Sequence, residues 1–552
     1  MAKKKPDRAA LGWLFARTKG RRRALAAIIV GNAVFAAAGA AFSLLCRGII
    51  DCAVAGDRSG IISYAAGLAG FVLLQLVLRL VCNSLSESVR AKIEMDMRGE
   101  LFGRLLSAEL GPLMKFHSGE LLNRMFSDVK ICADGITDIV PGAVNMATRL
   151  VCAAGIMIAL EPWFTALFVA AGAVVFVVTK IFRGRLKGLH KQVQEKEGAV
   201  RSFLQESVES AAVIKVFGAE QKMLRQNEIN QNEHYRVRMK RRTVSIISGA
   251  GFGLIFQAGY VFALVWGAYG IFNGGMSYGT LMAVLQLVNQ IQSPFAGLSS
   301  LFPQYYAAEA SAERIMELMA LPEETDAEKK LCYDDFTGLE VSGLRFSYGE
   351  NEVIKRADFT LKKGEIAALT GISGGGKSTL FMLLLGAYQP VSGEIRLCGG
   401  NESFLPGRGT RGIFSYVPQG NCLFSGTIRE NIAFLSDGNN SDENVMEAAR
   451  AACAEEFITK LPQGLDTRIG ENGFGLSEGQ AQRIAVARAL FSGAGFLLLD
   501  EATSALDEQT EKQLLENIAS MDNKTVLIVT HRPAALGICS RRFTLKNGVI
   551  EE

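Results

Sequence analysis

The chain has 552 residues, of which 49% are hydrophobic and 21% charged, with a formal net charge of +4. This length allows several domains, but the hydrophobic content is too high for an ordinary soluble enzyme of this size. The small net charge argues against nucleic acid as a partner. The ten scattered cysteines, with no CxxC pair and no Cys/His ligand spacing, argue against a metal or disulfide framework.

The N-terminal segment is basic. MAKKKPDR is followed by a mixed stretch to Arg23, and the apolar run that begins there is too long for the core of a cleavable signal. We assign residues 1–23 to a cytoplasmic N-terminal elbow. Apolar stretches of about the ~20 residues that a bilayer requires then cover 24–50, 61–84, 138–160, 163–182, 243–270 and 278–301. They predict an all-α transmembrane domain of six helices within residues 24–320.

The loops between these stretches predict the orientation of the chain. The N-terminal segment and the loops 85–137 and 183–242 are rich in Lys and Arg, whereas the alternate loops have one Arg at most. By the positive-inside rule, both termini are cytoplasmic. Both basic loops have a helical pattern, and ~25 such residues extend ~38 Å. The pattern breaks at PLMKFHSGELLNR and at ESAAVIKVFGAEQ, which we interpret as the tips of two cytoplasmic arms.

The composition changes after the last apolar stretch. A segment rich in Pro, Glu and Lys predicts a linker over residues 321–336. From 337 to 552, short strands alternate with helices, which predicts an α/β domain with a mostly parallel sheet. The fold class is therefore a multi-domain chain, with a six-helix membrane domain followed by an α/β domain.

The strongest motif of the second half is GISGGGKS at 371–378, between a predicted strand and a predicted helix. It fits G-x-x-x-x-G-K-[ST], in which backbone N–H groups and a helix N-terminus surround phosphates. Lys377 is expected to reach the β and γ phosphates of ATP, and Ser378 to hold Mg²⁺. The predicted nucleotide-binding residues of this loop are Gly371, Ser373, Gly374, Gly375, Gly376, Lys377, Ser378 and Thr379.

Other predicted strands end in residues that suit the same chemistry. GFLLLDE ends in Asp500, a carboxylate for Mg²⁺, and Glu501, which can polarise a water for attack on the γ-phosphate. TVLIVTH ends in His531, which can sense that phosphate, and SYVPQ ends in Gln419, which can reach Mg²⁺ and its water. Alone, two acids after a strand are usually surface charge, but together with the phosphate loop they predict an ATP-hydrolysing site.

The stretch GLSEGQAQR at 475–483 leads from a loop into a helix with an apolar stripe. Helix starts of this kind bind anions, so the carboxylate of Glu478 at the tip is unexpected.

With these motifs the chain closely resembles the ATP-binding cassette exporters over nearly its whole length. LSEGQ resembles the signature sequence of that family, and ATSALD resembles a loop whose Asp507 crosses a dimer interface. RFSY places Tyr348 where the family stacks an aromatic ring on adenine, although a cross-strand core tyrosine is the alternative. FHSGELLNRMFSD, AAEASAERIMEL, NCLFSGTIRENI and TRIGENG also resemble family patterns.

The resemblance implies a half-transporter that needs a partner, identical or related. Each ATP would lie between the phosphate loop of one subunit and the signature helix of the other, with Ser477, Gly479 and Gln480 on the signature side. If Glu478 faced the γ-phosphate at ~6 Å, each unit of phosphate charge would repel it by ~3 kcal/mol at an effective dielectric near 20. Either the side chain points away, or this signature serves a weak site in an asymmetric heterodimer. The sequence leaves homodimer and heterodimer open.

The transported substrate is the least defined feature. Arg149 and Arg79 fall within predicted spans, where a charge is costly and is expected to face a cavity or a partner. They suggest a substrate with an anionic group, such as a lipid head or an acidic peptide, and the alternative is a packing role beside polar neighbours. An importer of metal chelates or vitamins and an ATP-gated channel are the competing functions, and the compact layout suggests a bacterial inner membrane.

Overall fold

The computed structural model describes residues 8–324, 329–400, 402–420, 423–436, 441–470, 473–521 and 523–552. Side chains are described within these ranges except at 8, 9, 11, 169–187, 191, 252, 293, 295–300 and 302. The predicted linker therefore lies partly outside the described residues, at 325–328, as do the first two residues of NCLFSGTIRENI and two residues of TRIGENG. The chain forms two compact units, one of Met1–Leu101 with Leu122–Glu317 and the other of Phe102–Leu121 with Leu318–Glu552.

Helices build the first unit. Their bounds are α1 Arg8–Ala16, α2 Arg22–Val54, α3 Arg58–Ser107, α4 Leu110–Leu113, α5 Ser118–Asn123, α6 Val129–Asp134, α7 Val140–Leu160, α8 Pro162–Glu209, α9 Ala211–Val216, α10 Glu220–Phe272 and α11 Tyr278–Met319. Of these, α4, the start of α5 and the ends of α3 and α11 belong to the second unit. Short π-helical segments at Arg124–Asp128 and Gly135–Ile139 join α5, α6 and α7. The helix breaks predicted at the two arm tips are confirmed, because α4 ends at Leu113 before α5 begins at Ser118 and α8 ends at Glu209 before α9 begins at Ala211.

Long apolar helices carry the predicted spans. Within the part of the chain that the structure describes, four helical segments are long and apolar enough to cross a membrane: Lys19–Val54, Arg58–Ser107, Ser118–Leu160 and Glu220–Phe272. The remaining predicted stretches, 163–182 and 278–301, lie within α8 and α11, where the side chains of 169–187 and 295–300 are outside the description. The helix α2 buries the small residues Ala36, Ala40 and Ser43, which permit close helix approach without a hydrophobic driving force in lipid.

The second unit is built on a sheet of strand order β5-β4-β1-β2-β12-β11-β3-β10-β9-β6. The strands are β1 Phe336–Tyr348, β2 Asn351–Lys362, β3 Ile366–Gly371, β4 Ser392–Gly399, β5 Glu402–Phe404, β6 Phe414–Val417, β7 Gly426–Thr427, β8 Arg468–Ile469, β9 Phe496–Asp500, β10 Thr525–Val529, β11 Arg541–Lys546 and β12 Val549–Glu551. The helices are α12 Lys377–Leu384, α13 Ile428–Ile432, α14 Asp442–Ala451, α15 Glu455–Lys460, α16 Glu478–Phe491, α17 Glu508–Ala519 and α18 Pro533–Gly537.

The order of the parallel strands positions the site. The strands β11, β3, β10, β9 and β6 are parallel neighbours in that order. Every residue of β9 and β10 is buried, as expected for parallel strands covered on both faces. Parallel neighbours end at the same edge, so the residues that follow β3, β10, β9 and β6 come together there.

Candidate functional site

The phosphate loop connects β3 to α12. Gly376 caps α12 with φ +104°, and a Cβ there would lie 2.6 Å from Cγ1 of Val353, so only glycine fits. Lys377 is buried, and its Nζ donates to the carbonyl oxygens of Gly371 at 2.7 Å and Ile372 at 3.0 Å. Two neutral carbonyl oxygens of the loop therefore hold the ammonium group of Lys377 in place. The charged phosphate oxygens of a bound nucleotide can take over from them as hydrogen-bond acceptors.

The sequence-predicted catalytic residues meet at the carboxyl edge of the sheet. Nζ of Lys377 lies 3.4 Å from Nε2 of His531, which follows β10. Nε2 of Gln419, which follows β6, donates to Oε2 of Glu501 at 2.9 Å. Glu501 has φ +51°, in the left-handed region where a non-glycine backbone is strained by about 1–3 kcal/mol. The hydrogen bond from Gln419 holds the carboxylate at the end of β9.

Asp500 fits a cation site. It is 2% exposed, and its Oδ2 accepts no hydrogen bond from any described residue, although Ser378 and Tyr416 bond to its carboxylate. Burial is the largest effect on its pKa and raises it above the ordinary value, the charge of Glu501 raises it further, and the hydrogen bond from Ser378 opposes the shift. A buried carboxylate oxygen without a donor, beside a serine hydroxyl, suits Mg²⁺, which prefers oxygen ligands.

This geometry predicts an unusual effect of Asp500→Asn on the ligand-free protein. A pKa raised by folding means that stability is lost as pH rises through that pKa, and Asn removes this loss. We expect the variant to be more stable by about 1 kcal/mol at pH 8, a shift of roughly 2–4 °C in the midpoint of a domain this size. The gain should shrink as the pH falls towards the ordinary pKa of an aspartate, about 3.9, and stabilisation by Mg²⁺ with ATP should be lost. Thermal unfolding at pH 8 and at successively lower pH, with and without Mg²⁺ and ATP, measures each effect.

Asp507→Asn is the matched control. The backbone N–H of Thr510 donates to this exposed carboxylate and lowers its pKa, so the sign of the linkage is opposite. The control should not gain stability at pH 8. A ligand-free Asp500→Asn protein less stable than wild type at pH 8 would contradict the account of Asp500.

Tyr348 lies at the end of β1 and is 47% exposed, which excludes the alternative of a core tyrosine. Its ring packs edge-on against Tyr388, and its hydroxyl lies 3.2 Å from that of Thr379 in α12. Burial and the hydrogen bond with Tyr348 raise the pKa of Tyr388 to about 12. An exposed aromatic ring beside the phosphate loop can receive a nucleobase, provided that its contact with Thr379 opens.

A cavity of about 810 Å³ joins Tyr348 to the tip of the first arm, which lies in the same compact unit. Pro112 and Met114 of the tip line it together with Tyr348 and Tyr388. The residues just before the tip are attached to those that follow α11, since the backbone N–H of Glu109 donates to the carbonyl oxygen of Pro322 at 3.0 Å. The first arm and the candidate adenine platform thus share one cavity.

Glu324 links the end of α3 to the α/β domain. Its backbone N–H donates to the carbonyl oxygen of Ser107 at 2.9 Å, and its carboxylate accepts bidentate hydrogen bonds from Arg411 at 2.7 and 2.9 Å. Neither Glu324 nor Arg411 carries a motif that the sequence analysis could have found.

The signature segment starts α16. Ser477 is its N-cap, and its Oγ accepts from the backbone of Gln480 while the Gln480 side chain accepts from the backbone of Ser477. Gly479 is required, because a Cβ there would lie 2.8 Å from the carbonyl oxygen of Ala505, in the loop that leads to Asp507. Glu478 is exposed at the first turn, so the position accepts a side chain that its neighbour cannot.

A buried network supports this loop and was missed by sequence reasoning. Glu511, 2% exposed, accepts from Thr503 at 2.8 Å and from Arg532 at 2.8 Å. Arg532 also donates to the carbonyl oxygens of Ser504 and Leu506. Because Arg532 follows His531, the network connects the end of β10 to the loop beside the signature helix.

Two family-like patterns of the membrane half also meet. Asp128 of FHSGELLNRMFSD is 1% exposed and accepts from Ser311 at 2.9 Å and from Nε of Arg314 at 2.7 Å. Ser311 and Arg314 both belong to AAEASAERIMEL, so their hydrogen bonds to Asp128 join the segment after α5 to α11.

Comparison with known proteins agrees with this architecture. The protein-family model described as the ABC transporter transmembrane region matches residues 25–295. A second family model, described as ABC transporter, matches residues 354–504. The chain is 31% identical over 497 residues to a Staphylococcus aureus ATP-binding/permease protein whose name proposes multidrug export, covering 87% of this chain and 84% of that protein. It is 28% identical to an ATP-dependent lipid A-core flippase of Albidiferax ferrireducens, covering 88% and 84%.

Two further comparisons define the extent of the likeness. The chain is 30% identical to ABC transporter B family member 1 of Dictyostelium discoideum over 87% of its own length, but it spans only 54% of that protein. The fold matches a bacterial Atm1-family ABC exporter solved with ATP bound, with a TM-score of 0.80, 23% identity and coverage of 96% and 95%. A helical membrane region followed by a sheet-containing cassette is confirmed. The chain therefore belongs to the ABC transporter family, as an exporter-type half-transporter that fuses a membrane-spanning region to an ATP-binding cassette.

Proposed function

We propose that this chain is one half of a dimeric pump that hydrolyses ATP to export an amphipathic substrate with an anionic group. The observation that carries the proposal is the meeting of Lys377, His531, Glu501 and Gln419 at one edge of the sheet. A site that only bound ATP would not need a carboxylate held at this edge by a neighbouring amide.

The positions of these side chains support the following roles. Lys377 binds the β and γ phosphates, and Glu501, oriented by Gln419, accepts a proton from the attacking water. His531 contacts the γ-phosphate from the side of Lys377. Ser378, Asp500 and Gln419 would hold Mg²⁺, which neutralises phosphate charge during the reaction. The remaining loop residues donate backbone N–H groups, and Tyr348 stacks on adenine.

Exposed groups support a dimer. The second tip exposes Val216 and Phe217 by 81% and 79%. Contiguous apolar residues of this kind mark interaction sites. Ser477 and Gly479 begin α16 in an exposed turn, where a partner's ATP can reach them. A second half-transporter, identical or related, would cover the apolar second tip and would place its ATP against the start of α16.

Replacing Glu478 by Gly tests how the signature works. Because the side chain is exposed and Ser477 keeps its cap, we propose that the carboxylate points away from the phosphate. ATP hydrolysis by the purified chain should then rise less than tenfold. A carboxylate facing one phosphate charge would cost ~3 kcal/mol, or roughly 150-fold. A rise of that size would instead support a deliberately weak site and a heterodimer.

The substrate proposal rests on charge within the membrane helices. Arg149 in α7 is half-buried and Arg79 in α3 is exposed, and neither makes an ion pair or hydrogen bond with any residue the structure describes. An unpaired arginine at membrane depth favours an anionic ligand. Relatives include lipid A-core flippases, which supports a lipid with a charged head.

Transport into inverted vesicles tests the whole proposal. In a bacterial inner membrane with both termini cytoplasmic, ATP added outside the vesicles should drive accumulation of a fluorescent acidic lipid inside them. Glu501→Gln vesicles should not accumulate it, and Arg149→Ala vesicles should accumulate less while still hydrolysing ATP. ATP-driven loss of the lipid from preloaded vesicles would indicate an importer.

A further inference from the structure

A cavity of about 630 Å³ lies between the segment 19–24 and the face of α3. We call it the elbow cavity. Leu85 and Val89 of α3 contribute apolar walls, and Lys92 on the same helix lines the cavity together with Lys19 and Arg22. Its volume is in the range of about 300–1,000 Å³ that is usual for small-ligand sites.

The elbow cavity has an excess of positive charge. Arg21 also lines it but pairs with Asp96. The other basic lining residues make no ion pair or hydrogen bond with any described part of the chain; they are Lys19, Arg22, Arg23 and Lys92. The first turn of α2 has no acidic residue, and basic side chains at a helix N-terminus have the unfavourable sign for the helix dipole. An anion in the cavity would neutralise the excess positive charge and would interact favourably with the dipole of α2.

The cavity lies where two predicted spans meet the cytoplasm. Arg23 immediately precedes the first predicted span and Lys92 follows the second by a few residues. The positive-inside rule explains basic residues at such positions. It does not explain why four of them, three from the segment 19–24 and one from α3, surround one concave volume with apolar walls.

We propose that the elbow cavity binds the phosphate headgroup of an anionic phospholipid from the cytoplasmic leaflet. Basic pockets between helices on this side of a membrane suit such headgroups, and apolar walls suit the start of the acyl chains. The inference rests on the proposed orientation and is independent of which substrate is transported. The bound lipid would hold the N-terminal elbow, where α1 buries Ala10 and Leu14 and exposes Phe15, against α3.

Lipid binding to the purified, delipidated full chain tests the proposal. Phosphatidylglycerol and phosphatidylcholine are titrated in detergent and bound lipid is counted by native mass spectrometry. Wild type should bind one phosphatidylglycerol per chain in preference to phosphatidylcholine. A variant with four Gln substitutions should bind it roughly 600-fold more weakly, about fivefold for each charge removed; the positions are Lys19, Arg22, Arg23 and Lys92.

The control removes the same charge from another basic segment that precedes a span. Its four Gln substitutions are at Lys222, Arg238, Lys240 and Arg242, which are exposed on α10. The control should bind phosphatidylglycerol like wild type. Equal loss of binding in both variants, or no preference over phosphatidylcholine in wild type, would overturn the proposal.

Two further measurements keep the test decisive if the variant with four substitutions does not insert into the membrane. Lys92→Gln leaves the N-terminal charges that orient the first span, and it should weaken phosphatidylglycerol binding about fivefold. Inorganic phosphate is titrated as a competitor. Displacement of the lipid only at far higher phosphate concentration supports a lipid site, whereas equal potency would show a general anion site. ATP hydrolysis is recorded in parallel, so failure of the pump and failure of this lipid site are distinguishable.

Discussion

Glu501→Gln is expected to reduce ATP hydrolysis by at least about a hundredfold and to leave nucleotide binding intact. General-base catalysis contributes about 10²–10⁴-fold, and the amide has the same shape as the carboxylate but cannot accept the proton. The backbone strain at φ +51° and the hydrogen bond from Gln419 show that this side chain is positioned rather than free. Phosphate release by the full chain in lipid measures the rate, and the shift of the unfolding midpoint by Mg²⁺ with ATP measures binding.

The neighbouring Glu508 supplies the matched control. It is exposed at the start of α17 and makes no bond to any described residue, so Glu508→Gln should hydrolyse ATP like wild type. If Glu501→Gln kept more than a tenth of the wild-type rate, another group would have to act as the base. If it also lost binding of ATP, the residue would have a structural role instead.

Arg532→Ala is expected to destabilise the cassette by about 3–5 kcal/mol, the usual cost of leaving a buried charge without its partner. Glu511 would keep only the hydroxyl of Thr503, and the carbonyl oxygens of Ser504 and Leu506 would lose their donor. The loop between Glu501 and Asp507 should loosen, so ATP hydrolysis should fall as well. Hydrogen exchange of peptides covering β9 to α17 reports the change locally, which matters because a chain with two compact units does not unfold in one step.

Arg345→Ala is the comparison for this result. Arg345 pairs with Glu352 at 2.6 Å, but both side chains are substantially exposed, at 55% and 33%. An exposed pair contributes about 0–1 kcal/mol, so this variant should exchange and hydrolyse ATP like wild type. Similar effects of the two substitutions would show that the Glu511 network has no special role.

The sequence predicted most of what is encoded locally. Apolar stretches of bilayer length, the alternation of basic loops and the glycine pattern of the phosphate loop are each visible within one segment, because each reflects a local physical requirement. The residues at the strand ends could be assigned because apolar runs that end in Asp500, His531 or Gln419 are short and distinct. Parallel strands then bring such ends to one edge whatever the loops between them do.

What remained hidden depends on pairing across long sequence separations. Nothing around Arg532 or Arg411 indicates that one reaches Glu511 and the other Glu324, because a charged residue reads as solvated surface until the fold buries its partner. The sequence also could not show that a Cβ at position 479 would clash with the carbonyl oxygen of Ala505, whereas the side chain of Glu478 is exposed to solvent. Sequence alone thus determined a membrane-spanning chain with an ATP-binding cassette. The tertiary structure decided which side chains hold the catalytic residues in place, since burial and hydrogen bonding arise only when distant segments meet.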